Sequence, residues 1–167
     1  MATISKERLK CVRQFHGSSP KSFEVREGAS QTFVLGELVY GDSGYALEIA
    51  GDTPGIILGM AGEDGHNSAV GVDRVSVYTA DPDNIFEGNV LGTGAADQVL
   101  ANNHLLTTMA IQRVTADSRV YLNAAILGGA STRVFVWDVA PGSAVGDLNA
   151  RVLFSFLDRY WQAASTS

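Results

Sequence analysis

The stretch Val75 to Val90, VSVYTADPDNIFEGNV, contains the pattern that decides the fold class. Val75 and Val77 alternate with polar side chains, which is the period of a half-buried β-strand. The Asp-Pro-Asp segment at 81–83 then predicts a turn, because proline fixes φ and Asp or Asn side chains bond nearby backbone N–H groups. A short strand that ends in a turn of this kind is typical of an all-β protein.

The same alternation of short apolar segments and turn formers continues in both directions from this stretch. Turn formers are dense at 41–44, 51–55, 62–68, 115–118, 128–132 and 141–147. Evenly spaced short strands predict an all-β fold, either a sandwich or a small β-barrel. The expected strands are 22–27, 31–36, 37–41, 44–50, 55–61, 73–80, 109–115, 118–125, 132–140 and 150–157.

Two parts of the chain depart from this pattern. Residues 1–21 alternate poorly and end in a Gly-Ser-Ser-Pro segment, so we expect an extended N-terminal arm there and a β-barrel domain over 22–167. Residues 92–106 contain Ala, Gln and Leu, and they allow a short helix with Asp97 in its first turn. The 167 residues correspond to one domain in size.

Charge and composition bear on the partners. The chain has a net charge of −6, but residues 1–27 contain six Lys or Arg against three Glu, so a basic leader precedes an acidic body. An acidic body repels phosphate backbones, so we expect no nucleic-acid partner. The longest apolar runs are too short for a bilayer, so we expect no membrane partner.

Cys11 is the single cysteine, which excludes a disulfide framework and a Cys-rich zinc site and indicates synthesis in a reducing cytoplasm.

The acidic turn at 81–84 contains several possible oxygen ligands for a calcium ion, so we compare it with an EF-hand loop. Asp81 and Asp83 match the first and third ligand positions of an EF-hand loop. The required glycine is replaced by Phe86, and the position of the bidentate glutamate holds Gly92. We therefore expect a structural turn and no metal site.

Catalytic patterns are also lacking in the sequence. The three histidines are isolated from one another, no Gly-x-Ser-x-Gly elbow occurs, and the 92–97 segment lacks the lysine of a phosphate-binding loop. Chance pairs of carboxylates leave a glycoside-acting enzyme as an alternative, although solvated turn residues explain those carboxylates better. We expect no enzyme, no catalytic residue and no cofactor.

The aromatic residues alternate with aliphatic ones in VFVWDV at 134–139 and VLFSFL at 152–157, which indicates a β core. Tyr160 and Trp161, in the C-terminal segment, are candidates for an exposed contact, with core packing as the alternative.

The order of the motifs resembles the head-decoration, or capsid cement, proteins of tailed bacteriophages. The segment FVLGELVYGDSGYALEIAGDTPGIILGMAGED at 33–64 resembles their opening hairpins, with a Phe-x-x-Gly-x-x-Val strand and an Ile-x-Gly-x-Ala strand. The stretch at 75–90 is similar to the next block, in which an Asp-Pro turn leads to an aromatic-containing strand. The segment AVGDLNARVLFSFLDRYWQA at 144–163 resembles their closing strand. The likeness covers residues 22–162, although 92–106 departs from it.

The resemblance implies a small β-barrel or β-tulip-like domain on the outer surface of an icosahedral head. Such proteins clamp neighbouring major capsid protein subunits, so the expected partners are the major capsid protein and other copies of this chain in a homotrimer. Residues expected at the capsid contact are Ile4, Arg8, Leu9, Val12, Arg13 and Phe15 in the arm. Candidates for an intersubunit or capsid contact are Asp81, Pro82, Asp83, Asn84, Phe86, Tyr160 and Trp161.

Other virion modules remain alternatives. A carbohydrate- or receptor-binding β module is expected to show exposed aromatic platforms, and a head-completion or tail protein is expected to differ in fold and symmetry.

Overall fold

The structure is a computed structural model that describes residues 1–49, 51, 56–94 and 96–157. Strands dominate the described residues, and the one helical element among them is a 3-10 helix at Asn102–His104. None of the described helical segments has the length and apolar character needed to cross a membrane. The strands are β1 Lys10–Gln14, β2 Ser22–Arg26, β3 Leu38–Asp42, β4 Tyr45–Glu48, β5 Gly59–Ala61, β6 Arg74–Thr79, β7 Asn84–Leu91, β8 Thr107–Val114, β9 Arg119–Leu127, β10 Val134–Val139 and β11 Arg151–Phe156.

Five strands close into a barrel, which confirms the predicted all-β barrel fold. The sheet has the order β1-β7-β11-β10-β8-β9, and an additional parallel pairing of β7 with β9 closes it. In that pairing Val90 lies opposite Leu122 and Leu91 lies opposite Asn123. Alternate residues of the barrel strands point inward, including Val134, Val136 and Val152, which have no exposed surface.

The remaining strands form a second sheet with the order β2-β6-β5-β3-β4. This sheet curls until its two edges meet, because a parallel bridge joins Glu27 to Ala46. It surrounds a small core of its own, made of Phe33, Val39, Ala46, Leu58, Ala61, Val75 and Val77. The sequence pattern predicted a single barrel over 22–167 and did not reveal this second core.

The N-terminal segment contributes directly to the barrel. Lys10–Gln14 forms β1, which pairs antiparallel with β7 from Lys10 opposite Glu87 to Gln14 opposite Asn84. Leu9 is 2% exposed and belongs to the main core. The prediction of poor strand structure over 1–21 is therefore wrong for β1. The bulge between Cys11 and Arg13 interrupts the two-residue period, and the basic residues on the solvent side conceal it further.

Two other local predictions are also wrong. The segment 31–36 is not a strand, since the Glu37 side chain accepts a hydrogen bond from the backbone N–H of Val34 at 2.8 Å and holds a turn there. The helix expected at 92–106 is limited to Asn102–His104. Asp97 lies outside it and forms an ion pair with Lys6 at 2.6 Å.

Candidate functional site

The turn at Asp81 is built from buried hydrogen bonds. Asp81 is 3% exposed, and its Oδ1 accepts the backbone N–H groups of Asp83 and Asn84, both at 3.0 Å. Its Oδ2 accepts the hydroxyl of Thr79 at 2.5 Å. These bonds use both oxygens of the carboxylate in holding the turn. The predicted structural turn is present.

The side chain of Asn84 hydrogen-bonds this turn to Lys21, in the segment that precedes β2 of the second sheet. Its Oδ1 accepts the backbone N–H of Lys21 at 2.8 Å, and its Nδ2 donates to the carbonyl oxygen of Lys21 at 2.8 Å and to that of Thr79 at 3.1 Å. Lys21 precedes β2 in the second sheet, whereas Asn84 begins β7 in the barrel. The acidic turn therefore joins the two sheets of this chain.

Most of the turn residues expected at a partner contact are inside the protein. Asp81, Asn84 and Phe86 are at most 3% exposed, and Phe86 packs on Phe154 and Phe156 in the barrel core. They cannot contact a partner in this fold, which corrects their assignment. Pro82 and Asp83 are exposed at the tip of the turn. Tyr160 and Trp161 lie outside the described residues.

The contact candidates in the N-terminal arm are likewise partly buried and partly exposed. Leu9 is in the core, so its assignment as a capsid anchor is wrong, and Ile4 is half-buried with its N–H bonded to the carbonyl oxygen of Leu148 at 2.9 Å. Arg8 is half-buried and donates to the carbonyl oxygen of Leu35 at 3.1 Å. The exposed candidates are Val12, Arg13 and Phe15.

Phe15, which is exposed, and three half-buried side chains on the outer wall of the barrel form an apolar surface. This aromatic ledge consists of Phe15, Phe135, Trp137 and Leu153. The ring centroids of Phe15 and Trp137 are 5.0 Å apart, and those of Phe135 and Trp137 are 4.5 Å apart. Trp137 donates its Nε1–H to the hydroxyl of Ser155 at 3.0 Å, which fixes the indole.

A shallow depression of about 160 Å³ lies within the ledge. Arg13 and Asp138 line it together with Phe15, Trp137 and Leu153. It is therefore an apolar surface with one cation and one anion among its lining residues.

The ledge was not predicted from the sequence. The aromatics of VFVWDV were expected in the core, but Val134 and Val136 face inward while Phe135 and Trp137 face outward. The parallel interpretation of VLFSFL is confirmed, because Phe154 and Phe156 are buried. A strand that is apolar at consecutive positions is apolar on both faces, and this signal could have identified an outer contact surface.

Titratable groups outside the ledge include one histidine paired with a buried carboxylate. Glu27 has no exposed surface, and its two oxygens accept the backbone N–H of His66 at 2.8 Å and contact His66 Nδ1 at 2.7 Å. The hydrogen bond to Glu27 raises the pKa of His66 above its ordinary value of 6.5, and the charges of Glu27, Asp73 and Glu63 act in the same direction against desolvation.

The His66–Glu27 pair is expected to make the stability of the folded protein depend on pH. Because the pKa of His66 is raised on folding, its contribution is fully present below about pH 6.5 and is lost as pH rises through the folded value. The melting temperatures of the wild type and of His66→Gln are therefore expected to differ most at pH 5–6 and to converge in alkaline buffer. His16→Gln, at an exposed site, serves as the control. A difference that widens with rising pH contradicts the prediction.

In the part of the chain that the structure describes, no group of three or more His, Cys, Asp or Glu side chains is arranged to hold a metal ion. Comparison with known proteins adds no relative: no family model, no curated protein and no solved structure matches the chain.

Proposed function

We propose that this chain is a virion structural protein that binds the outer surface of an icosahedral bacteriophage head and links neighbouring major capsid protein subunits. The aromatic ledge carries the proposal, together with the order of sequence motifs. The chain acts in this role by binding and not by catalysis. It is made in the host cytoplasm and is incorporated into the virion.

The ledge has the composition of the centre of a protein interface. Aromatic residues are enriched there, and arginine is frequent beside them. A large ring that is already packed against its neighbours loses little side-chain entropy on binding, so it anchors a contact efficiently. Phe15 is 48% exposed, which leaves about half of this ring available to a partner.

The ring geometry favours a protein partner over a sugar. Phe15 and Trp137 meet at 62°, and Phe135 and Trp137 meet at 58°. The three rings are therefore inclined to one another and do not lie in one plane, whereas a sugar-binding platform is flat. A carbohydrate-binding module of the virion remains the second candidate, because exposed aromatic rings are the feature that such a module requires.

Self-association into a trimer is part of the proposal. A capsid position with three-fold symmetry presents three equivalent contact sites, and a trimer binds them together with a large gain in avidity. Light scattering coupled to gel filtration measures the number of copies. A monomer at micromolar concentration restricts assembly to the capsid surface itself.

The capsid proposal is tested with expanded heads that lack decoration protein. The wild type is expected to sediment with them, and Phe15→Ser is expected to lower its affinity by about tenfold or more, since buried aromatic anchors contribute about 2 kcal/mol or more to an interface. Val72→Ser is the matched control, because Val72 is 68% exposed and lies in the second sheet's loop.

Two results contradict the proposal. If the wild type does not sediment with expanded heads, the capsid is not the partner. If Phe15→Ser and Val72→Ser bind equally, the ledge is not the contact surface. Binding of the wild type to an array of bacterial surface glycans, lost in Trp137→Ser, supports the carbohydrate-binding alternative instead.

A further inference from the structure

A second concave site lies where the barrel sheet forks. Strand β7 has β11 on one side, and on the other side it pairs first with β1 and then with β9. The parallel register places Leu122 opposite Val90. Counting back three residues on both strands brings Arg119 level with Glu87, the residue that pairs with Lys10. Because β1 already occupies this edge of β7 at Glu87, β9 cannot pair with β7 there. Strand β9 therefore diverges from β7 at Arg119.

A cavity of about 450 Å³ lies at this fork. Its size falls within the range of about 300–1,000 Å³ that is typical of small-molecule sites. The walls come from residues 6–11 on one side and Arg119 on another, and the second sheet contributes Met60 and Tyr78. Residues from distant parts of the chain thus build it.

The inner part of the cavity is apolar. Leu9 and Met60 are each 2% exposed, and Tyr78 and Cys11 are partly buried against the same core. Leu35 also lines the cavity and is 46% exposed. An aliphatic or aromatic body placed here is removed from water on several sides, which is worth about 25 cal/mol for each Å² that is buried.

The polar part of the cavity carries four cations, Lys6, Arg8, Lys10 and Arg119, and one carboxylate, Glu7, which is also paired with Arg151 at 2.7 Å. Lys6 is paired with Asp97 at 2.6 Å, and Lys10 is paired with Glu7 at 2.9 Å, so these two charges are balanced within the chain. Arg8 and Arg119 are less completely satisfied.

Arg8 donates to a neutral group, the carbonyl oxygen of Leu35, at 3.1 Å. Arg119 lines the cavity with a side chain that is 36% exposed, lies 3.6 Å from Asp117 and hydrogen-bonds Tyr121, so not all of its N–H donors are used within the chain. A guanidinium group has five N–H donors in a planar fork that matches a carboxylate. These two arginines therefore retain donors for an anion.

We propose that this cavity binds a small apolar carboxylate, with the carboxylate held by Arg8 and Arg119 and its aliphatic body over Leu9, Met60 and Tyr78. The site is separate from the aromatic ledge and does not depend on the capsid proposal. Neither arginine was expected in this role from the sequence, because residues of β1, β9 and the second sheet come together only in the folded chain.

Calorimetric titration with decanoate tests the site. Saturable binding of one decanoate per chain is expected, and Arg8→Gln and Arg119→Gln are each expected to weaken it by about tenfold or more, since a hydrogen bond to a charged group is worth about 1.5–3 kcal/mol. Arg74→Gln is the control, because Arg74 is exposed on β6 and does not line the cavity. Decanol, which lacks the carboxylate, is expected to bind the wild type at least about tenfold more weakly than decanoate.

Cys11 gives an independent readout from the cavity wall. It is the single cysteine of the chain. Burial, and to a smaller extent the charge of Asp81, raises the pKa of its thiol to about 12, so alkylation by iodoacetamide at pH 8 is expected to be slow. Bound decanoate is expected to slow it further, in proportion to occupancy.

The proposal is overturned if decanoate does not bind saturably, or if both arginine variants melt like the wild type and bind decanoate with its affinity. Should either variant fail to fold, the comparison on the wild type still decides: decanol binding as tight as that of decanoate excludes a carboxylate site.

Discussion

Replacing Arg113 with Met is expected to lower the free energy of unfolding by about 3–5 kcal/mol, because it leaves a buried carboxylate without its partner. Arg113 is 6% exposed on β8, and its Nε donates to Glu37 Oε1 at 2.8 Å. Its Nη2 donates to Glu48 Oε1 at 3.0 Å. Glu37 and Glu48 belong to the second sheet and its approach, so this network joins the two sheets through the interior.

The two carboxylates differ in what happens when the arginine is removed. Glu48 has a side chain that is 27% exposed, so water can solvate it. The side chain of Glu37 is 2% exposed and keeps one hydrogen bond, from the backbone N–H of Val34. The loss of stability is therefore expected to come chiefly from Glu37.

A double variant separates the charge from the packing. Arg113→Met with Glu37→Gln removes both buried charges and keeps an acceptor for the N–H of Val34, so it is expected to recover most of the lost stability. Urea unfolding of the wild type, both single variants and the double variant completes the cycle. A double variant as unstable as Arg113→Met shows that lost packing, and not the unpaired charge, causes the effect.

Asn84→Ala is expected to destabilise the protein by about 2–4 kcal/mol, because the N–H of Lys21 and the carbonyl oxygen of Thr79 lose the side-chain amide that bonds them, at a cost of about 1–3 kcal/mol for each group that stays unpaired, whereas the carbonyl oxygen of Lys21 keeps the N–H of Thr79 at 3.2 Å. Asn84 has no exposed surface. The variant removes the acceptor for the N–H of Lys21 and the donor for the carbonyl oxygens of Lys21 and Thr79. Because Lys21 lies near the surface, water can solvate its backbone groups in the variant. The loss of stability is therefore expected to be smaller than the sum of the separate costs.

The matched control is Asp83→Ala in the same turn. The side chain of Asp83 is 65% exposed, so its loss is expected to change stability by no more than about 0.5 kcal/mol. Denaturant midpoints measure both variants, and hydrogen exchange of the Lys21 amide reports the local bond directly. If Asn84→Ala and Asp83→Ala unfold at the same midpoint, the turn does not fasten the two sheets together.

Local sequence pattern identifies a strand where no bulge interrupts it and where the apolar residues face the core. Strand β6 was predicted because Val75 and Val77 alternate with polar residues, and β11 because it is a short, nearly continuous apolar segment. Strand β1 was missed because its bulge breaks the alternation and its charged residues face solvent. The segment 31–36 was wrongly predicted as a strand because Phe33 is buried from an irregular segment before the turn at 35–36 and not from a ladder.

The candidate sites were predicted less well than the fold. Phe15 and Arg13 were identified as contact candidates and lie at the ledge, but Trp137 and Leu153 were not. Leu9, Asn84 and Phe86 were proposed for contacts and are buried. Exposure depends on which face of a strand is covered by the rest of the chain, and a single strand's sequence does not specify that.

The all-β class, the positions of most strands and the turn at Asp81 follow from local sequence, because alternation, proline and Asx hydrogen bonds act between residues close together in the chain. Three features become apparent only in the folded chain: β7 pairs with β9, the aromatics of β10 face outward, and Arg113 meets a carboxylate 76 residues away. Those outcomes depend on how distant strands pack and on the free energy of burying charge, and both are settled only when the two sheets come together.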